Sequence, residues 1–153
     1  MTNLPSTELG AVRRLQVLAA SIPGAAYDET VVQAPFESLW AFVSDMDTSM
    51  PRLFPNFRTW RTVAHHGDHL QAAAVGYLGQ RGVFDVTLKP GLCIMQDRRF
   101  IGGIAAQPGL TGTRFALLAA PRGPARHLGA PLRPLAQRLL RRSARRLGAH
   151  LTT

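Results

Sequence analysis

The chain has 153 residues and a mass of 16.6 kDa, is 46% apolar and 18% charged, and carries a net charge of +9. That balance suits one globular domain with its own core and excludes an intrinsically disordered chain. A single cysteine, Cys93, excludes an intramolecular disulfide and a Cys-rich zinc site, and no apolar stretch approaches the ~20 residues a membrane helix needs. The charge is uneven. Residues 122–153 hold eight arginines and no acidic side chain, whereas residues 1–121 hold ten basic and nine acidic groups.

In chain order, the first element is a short amphipathic helix. Ser6 or Thr7 caps it, Leu9, Val12, Leu15 and Ala19 recur at helical spacing, and Ser21-Ile-Pro-Gly24 ends it. Arg13-Arg14 followed by Leu15 to Ala26 superficially mimics a signal peptide. Gln16 and Ser21 interrupt its apolar core and Glu8 precedes it, so the helix reading prevails and the expected location is cytoplasmic. Tyr27 to Gln33 alternates as a strand, and Ala34-Pro35 breaks it. Phe36, Leu39, Trp40 and Val43 then mark one face of a helix that Ser44-Asp45-Met46-Asp47 stops, and a second short helix precedes Phe54-Pro55.

Six strands follow, at roughly ten-residue spacing. They are Phe57 to His66, His69 to Leu78, Val83 to Lys89, Leu92 to Gln96, Arg99 to Ala106 and Thr111 to Ala120. Gly67-Asp68 is a two-residue hairpin signal of the Gly-first kind. The other breaks are Gly79 to Gly82, Pro90-Gly91, the Asp97-Arg98 region and Pro108-Gly109. Gly102-Gly103, inside a strand, predicts a bulge or a strong bend. In Val83 to Lys89 the apolar face, Phe84, Val86 and Leu88, must be internal, which turns Asp85 outward.

Pro121 to Pro131 reads as a linker and Leu132 to His150 as one long helix ending near Gly148. Its apolar face holds Leu132, Leu135, Ala136, Leu139, Leu140, Ser143 and Leu147. Its opposite face holds Arg138, Arg141, Arg142, Arg145 and Arg146. An antiparallel meander with a helix laid across it is an α+β layer solution.

This order resembles the START-like, Bet v 1-like superfamily (SRPBCC, polyketide cyclase/dehydrase and lipid transport). The resemblance rests on three places: Val31 to Asp45, with its strand, Ala-Pro break and helix; Pro51-Arg-Leu-Phe-Pro55; and Thr111-Gly-Thr-Arg114 opening the last strand. It covers about residues 25–151, which leaves 1–24 as an N-terminal helical extension to a domain of residues 25–153. The resemblance implies a helix-grip fold, a curved seven-stranded antiparallel sheet wrapped around the long C-terminal helix with an internal cavity. Such cavities are lined by apolar side chains and a few polar groups. The candidates here are Trp40, Phe54, Trp60, Tyr77, Phe84, Met95, Phe100, Phe115, Leu135 and Leu139. The same residue types also build plain core.

Other constellations point to little chemistry. His65-His66-Gly67-Asp68-His69 is the most metal-like cluster, but it sits at a hairpin tip, and no metal or cofactor is expected. There is no Gly-x-Ser-x-Gly elbow, no His-Glu-x-x-His and no phosphate loop. Cys93 lies in an apolar strand, where a thiol is inert packing. Alternation puts Arg98 and Arg99 on opposite faces. In cyclase-like relatives a cavity Arg and Tyr can polarise a substrate carbonyl, and Tyr77 and Arg98 are the residues that could serve so, although no family motif carries the role onto them.

Three functions follow as expectations. The first is binding of a hydrophobic small molecule or lipid between sheet and helix. The second is a polyketide cyclase or aromatase-like enzyme using the same cavity. The third is peripheral contact of the arginine face with an anionic membrane or lipid. Nucleic acid is disfavoured, because no stacking aromatics interleave with the arginines. A homodimer is left open.

Overall fold

The computed structural model describes residues 10–152. Seven strands pair antiparallel: β1 (Ala26–Val32), β2 (Phe57–His66), β3 (His69–Gly76), β4 (Arg81–Lys89), β5 (Leu92–Gln96), β6 (Phe100–Gly109) and β7 (Gly112–Pro121). Their spatial order is β1-β7-β6-β5-β4-β3-β2. The helices are α1 (Ala11–Ala20), α2 (Phe36–Ser44), α3 (Met46–Leu53) and α4 (Gly129–Thr152), with a 3-10 segment over Gly123–Leu128 leading into α4. The expected caps Ser6 and Thr7 lie outside the described residues. Gly10 occupies the cap position, and the Gln107 side chain accepts the Val12 N–H at 3.0 Å.

The sheet has two covered faces. Inward, Leu70, Ala72, Phe84, Val86, Cys93, Met95, Ile104, Phe115 and Leu117 pack with α2, α3 and α4. Outward, the strands β6 and β7 take Val12 and Leu15 of α1, both 1% exposed or less, against Ile101, Ala105, Ala116 and Leu118. The inward face of β4 is the expected one, and Asp85 is exposed.

Gly102-Gly103 makes no bulge: the pairing of Met95 with Gly102 and Ile94 with Gly103 runs through unbroken. The glycines give room instead. A Cβ on Gly103 would lie 2.5 Å from Leu15 Cδ1, and one on Gly102 would lie 2.8 Å from the Phe100 ring. The register shifts sit in β2, at Phe57/Thr59 and Thr62/Ala64. Gly67 takes φ 60° in the two-residue hairpin turn, a left-handed geometry that suits glycine. Pro108-Gly109 does not end β6. Pairing with β5 stops at Ala105, so the missing N–H of Pro108 costs the sheet nothing, and Pro108 and Gly109 still pair with Thr113 and Gly112.

The long helix also departs from expectation at both ends. It starts at Gly129, inside the expected linker, with Pro131 in the first turn, where backbone N–H groups have no helical partner. It runs through Gly148 to Thr152, because Leu147 and Leu151 pack onto the inner core and outweigh the modest helix penalty of one glycine. Polar contacts fix its position. The Gln137 amide accepts the Tyr27 N–H at 3.0 Å and donates to the Tyr27 carbonyl, closing part of the free edge of β1. At the other end of β1, the buried Thr113 hydroxyl donates to the Ala34 carbonyl at 2.6 Å and pins the β1–α2 connection to β7.

Candidate functional site

The inward face of the sheet near β2, β4 and β6 is packed with rings. Phe57 contacts Phe54, Trp60, Phe84 and Phe100 at centroid distances of 6.1, 5.1, 5.2 and 5.7 Å. Most of these contacts are tilted or edge-on, a favourable arrangement for aromatic quadrupoles. Of the expected lining residues, Phe54, Trp60, Phe84, Met95 and Phe115 are at most 4% exposed. Trp40 stacks on Phe36 at 6.1 Å within α2. One polar atom in the cluster is unsatisfied: Trp60 Nε1 is buried with no hydrogen-bond partner. An orphaned buried donor is costly and marks a place where an acceptor would be stabilising.

Open space begins where the ring cluster ends. An apolar cleft of about 250 Å³ lies between the first half of α4 and the Pro121 ends of the strands, and Phe54, Phe100, Ala119, Ala136, Leu132 and Leu139 line it. Asn56 and Arg99 supply its polar side chains. Two leucines are left uncovered at this cleft: Leu128, at the end of the 3-10 segment, and Leu132 of α4 are 43% and 49% exposed, whereas Leu140 is 2%; Leu135 is 53% exposed but does not line the cleft. A groove of about 530 Å³ lies beyond Pro55 and Leu139, which line both recesses. Arg52, Tyr77, Arg142 and Arg146 line the groove.

Tyr77 and Arg98 do not share a recess. Tyr77 follows β3 and is 64% exposed in that groove. Arg98 is exposed on the turn between β5 and β6 and lines a separate recess of about 770 Å³ with Arg61, Arg81 and Val83. In that turn Asp97 Oδ1 accepts the backbone N–H groups of Arg99 and Phe100, both at 2.8 Å, and so acts as a cap. His66 and His69 face each other across their hairpin, and among the described residues no three His, Cys, Asp or Glu side chains gather.

Burial sets the electrostatics on both faces of the sheet. It lifts the Asp28 carboxyl above its ordinary value, and Arg141 of α4, at 3.7 Å, pulls it part of the way back. Arg141 therefore belongs partly to the helix–sheet seam rather than wholly to the outer face. Burial pushes the Cys93 thiol up to about 12. On the outward face, the Tyr27 hydroxyl is raised by burial and by Glu29, whose carboxylate accepts its hydrogen bond at 3.1 Å.

Sequence reasoning missed Asn56, Leu128 and Arg52 as lining residues. Leu128 fell in the expected linker, and Arg52 sits on a helix too short to show periodicity.

No protein-family model and no curated protein matches the chain. Solved structures do. TTHA0849 from Thermus thermophilus aligns at 20% identity over 83% of this chain and 93% of its own, with a TM-score of 0.59. The hypothetical protein jhp0584 from Helicobacter pylori aligns at 11% over 99% of both chains, with a TM-score of 0.66. The Zhui aromatase/cyclase of a Streptomyces species aligns at 14% over 80% and 94%, with a TM-score of 0.53. The fold is the helix grip. At these identities the likeness concerns the fold. The helix-grip sheet and α4 here enclose a ring-packed interior and leave an open apolar cleft at one end. No helix among the described residues is long and apolar enough to cross a membrane.

Proposed function

We propose that the chain binds a hydrophobic small molecule in the cleft between the first half of α4 and the ends of β6 and β7. The observation that carries this reading is the pair of half-exposed leucines, Leu128 and Leu132, over an apolar recess of about 250 Å³. These two leucines forgo burial worth roughly 1 kcal/mol each at half of the usual value for a leucine. A guest seated against them recovers it. Asn56 and Arg99 orient the guest, and the unsatisfied Trp60 N–H adds a donor for one that displaces part of the ring cluster.

The test is native mass spectrometry of freshly purified protein, with extraction and identification of whatever is released. A stoichiometric hydrophobic guest is expected. It should be absent from Ala136→Trp, whose larger side chain fills the cleft. An empty protein that gains no thermal stability from a hydrophobic library would overturn the reading.

A second reading is an aromatase/cyclase-like enzyme in the same cleft. It is favoured by the likeness in fold to the Zhui aromatase/cyclase and by Arg99 at the cleft wall, where a guanidinium can stabilise a developing enolate. Under it, Arg99→Ala abolishes turnover of a polyketide chain but leaves binding within a few-fold. Tyr77 lines the groove and Arg98 a separate recess, so Tyr77→Phe and Arg98→Ala should leave turnover in the cleft nearly unchanged. Under simple binding, Arg99→Ala shifts affinity alone.

A further inference from the structure

The groove beyond Leu139 differs in kind from the cleft. Its floor is apolar, made by Phe42, Leu53 and Leu147, and three guanidiniums converge on it. Arg52 comes from α3, and Arg142 and Arg146 come from successive turns of α4. No carboxylate lines the groove. Among the described residues the ion pairs are Arg114 with Glu29 and Arg141 with Asp28, so Arg52, Arg142 and Arg146 have no anionic partner. Three like charges gathered over a low-dielectric floor raise a positive potential that favours a counter-ion. Guanidiniums also match the planar oxygens of carboxylate and phosphate.

The groove and the cleft share Pro55 and Leu139. We infer that the groove seats the anionic head of the guest, which makes the ligand class an anionic amphiphile. Its carboxylate or phosphate lies among Arg52, Arg142 and Arg146, and its apolar body passes Leu139 into the cleft. This rests on the cleft reading above and adds the charge of the guest to it.

The test compares three probes of one chain length: dodecanoate, dodecyl phosphate and dodecanol, each below its micelle concentration, titrated into the full chain by calorimetry. Both anions are expected to bind at least tenfold more tightly than the alcohol. The advantage should shrink severalfold at high salt, by screening. It should vanish in the double variant Arg142→Gln/Arg146→Gln, while the affinity for dodecanol moves less than twofold. Equal affinity of the wild type for all three probes would overturn the anionic seat and leave the apolar cleft standing. Failure of all three to bind would overturn both. Inorganic phosphate binding as tightly as dodecyl phosphate would make the groove a free-anion site and overturn the amphiphile. Two further arms separate free lipid from bilayer. Phosphatidylglycerol vesicles that take up the protein through these arginines, with no affinity for monomeric anions, would assign the groove to a membrane surface and overturn the inference. Extraction of a labelled lipid from those vesicles into a one-to-one complex would support it.

Discussion

Leu132 and Leu140 lie two turns apart on the same face of α4 and make a matched pair of probes. Leu140 is 2% exposed and packs in the inner core, so Leu140→Ala leaves a cavity and should cost about 2–5 kcal/mol. Leu132 is 49% exposed beside open space, so Leu132→Ala forfeits roughly half of a leucine's burial, about 1 kcal/mol or less, with no cavity term. The ranking reverses for the guest. Truncating Leu132 removes up to three carbons from the cleft wall, worth about 0.8 kcal/mol each when a guest covers them, so affinity should fall about tenfold or more. Leu140 also lines the cleft, but at 2% exposure it offers a guest far less surface, so Leu140→Ala should weaken binding less than Leu132→Ala, once the fraction folded is allowed for. Urea unfolding gives the stabilities, and calorimetry with dodecanoate gives the affinities. Equal destabilisation by the two substitutions would show that the first half of α4 is packed rather than open. Unchanged affinity in Leu132→Ala would show that the guest sits elsewhere.

Three other outcomes are expected. Gly103→Val should push Leu15 off the sheet and detach α1, costing about 1–3 kcal/mol as an overpacked core does; protease sensitivity confined to the N-terminal segment is the readout, and an unaltered digestion pattern would count against it. The Cys93 thiol, held up to about 12 by burial, should resist alkylation in the native state at pH 8 and react at once in denaturant, so rapid native labelling would contradict the packing described. Burial raises the Asp28 carboxyl, so the folded state holds its proton more tightly than the unfolded state, and stability falls as pH rises through the window above the unfolded value of about 3.8. Asp28→Asn should therefore raise Tm at pH 7 and lose that gain near pH 3; a lower Tm at pH 7 would mean that the Arg141 attraction outweighs burial.

Much of the fold was legible because antiparallel strands announce themselves through alternation and turn residues. The bounds of β2 and β5 were readable to the residue, and so was the inward face of β4, since one register puts Phe84, Val86 and Leu88 together. What misled were residues whose local preference yields to packing. Gly148 ends isolated helices, yet Leu147 and Leu151 hold α4 together past it. Pro108 breaks central strands, yet its side of β6 has no neighbour to bond. Gly102-Gly103 signalled a backbone irregularity, when the cause was the close approach of Phe100 on one face and Leu15 on the other. The candidate site was harder to read. Apolar residues look alike in sequence whether they fill a core or line a recess, so Trp60 and Phe84 could not be told from Leu139 before the rings were placed. Arg52 and the arginines of α4 are about ninety residues apart, and only the three-dimensional arrangement brings them to one groove.

The two halves of α4 are held by different means, and this bears on how a guest enters. From Gln137 onward the helix is fastened by the Tyr27 backbone, by Arg141 on Asp28 and by the buried Leu140, Ala144 and Leu147. Before Gln137, it presents half-exposed leucines and two prolines, one of which, Pro134, removes an interior hydrogen bond. Local opening should therefore concentrate in residues 129–136, where few buried contacts oppose it. Hydrogen exchange on the guest-free chain should show amides of this half exchanging at least tenfold faster than those of residues 140–147. Addition of dodecanoate should slow the first half and leave the second nearly unchanged. Uniform protection along α4 in the free protein would mean that the leucine face is fixed without a guest. Guest-induced protection confined to residues 140–147 would place the binding energy in the groove rather than the cleft.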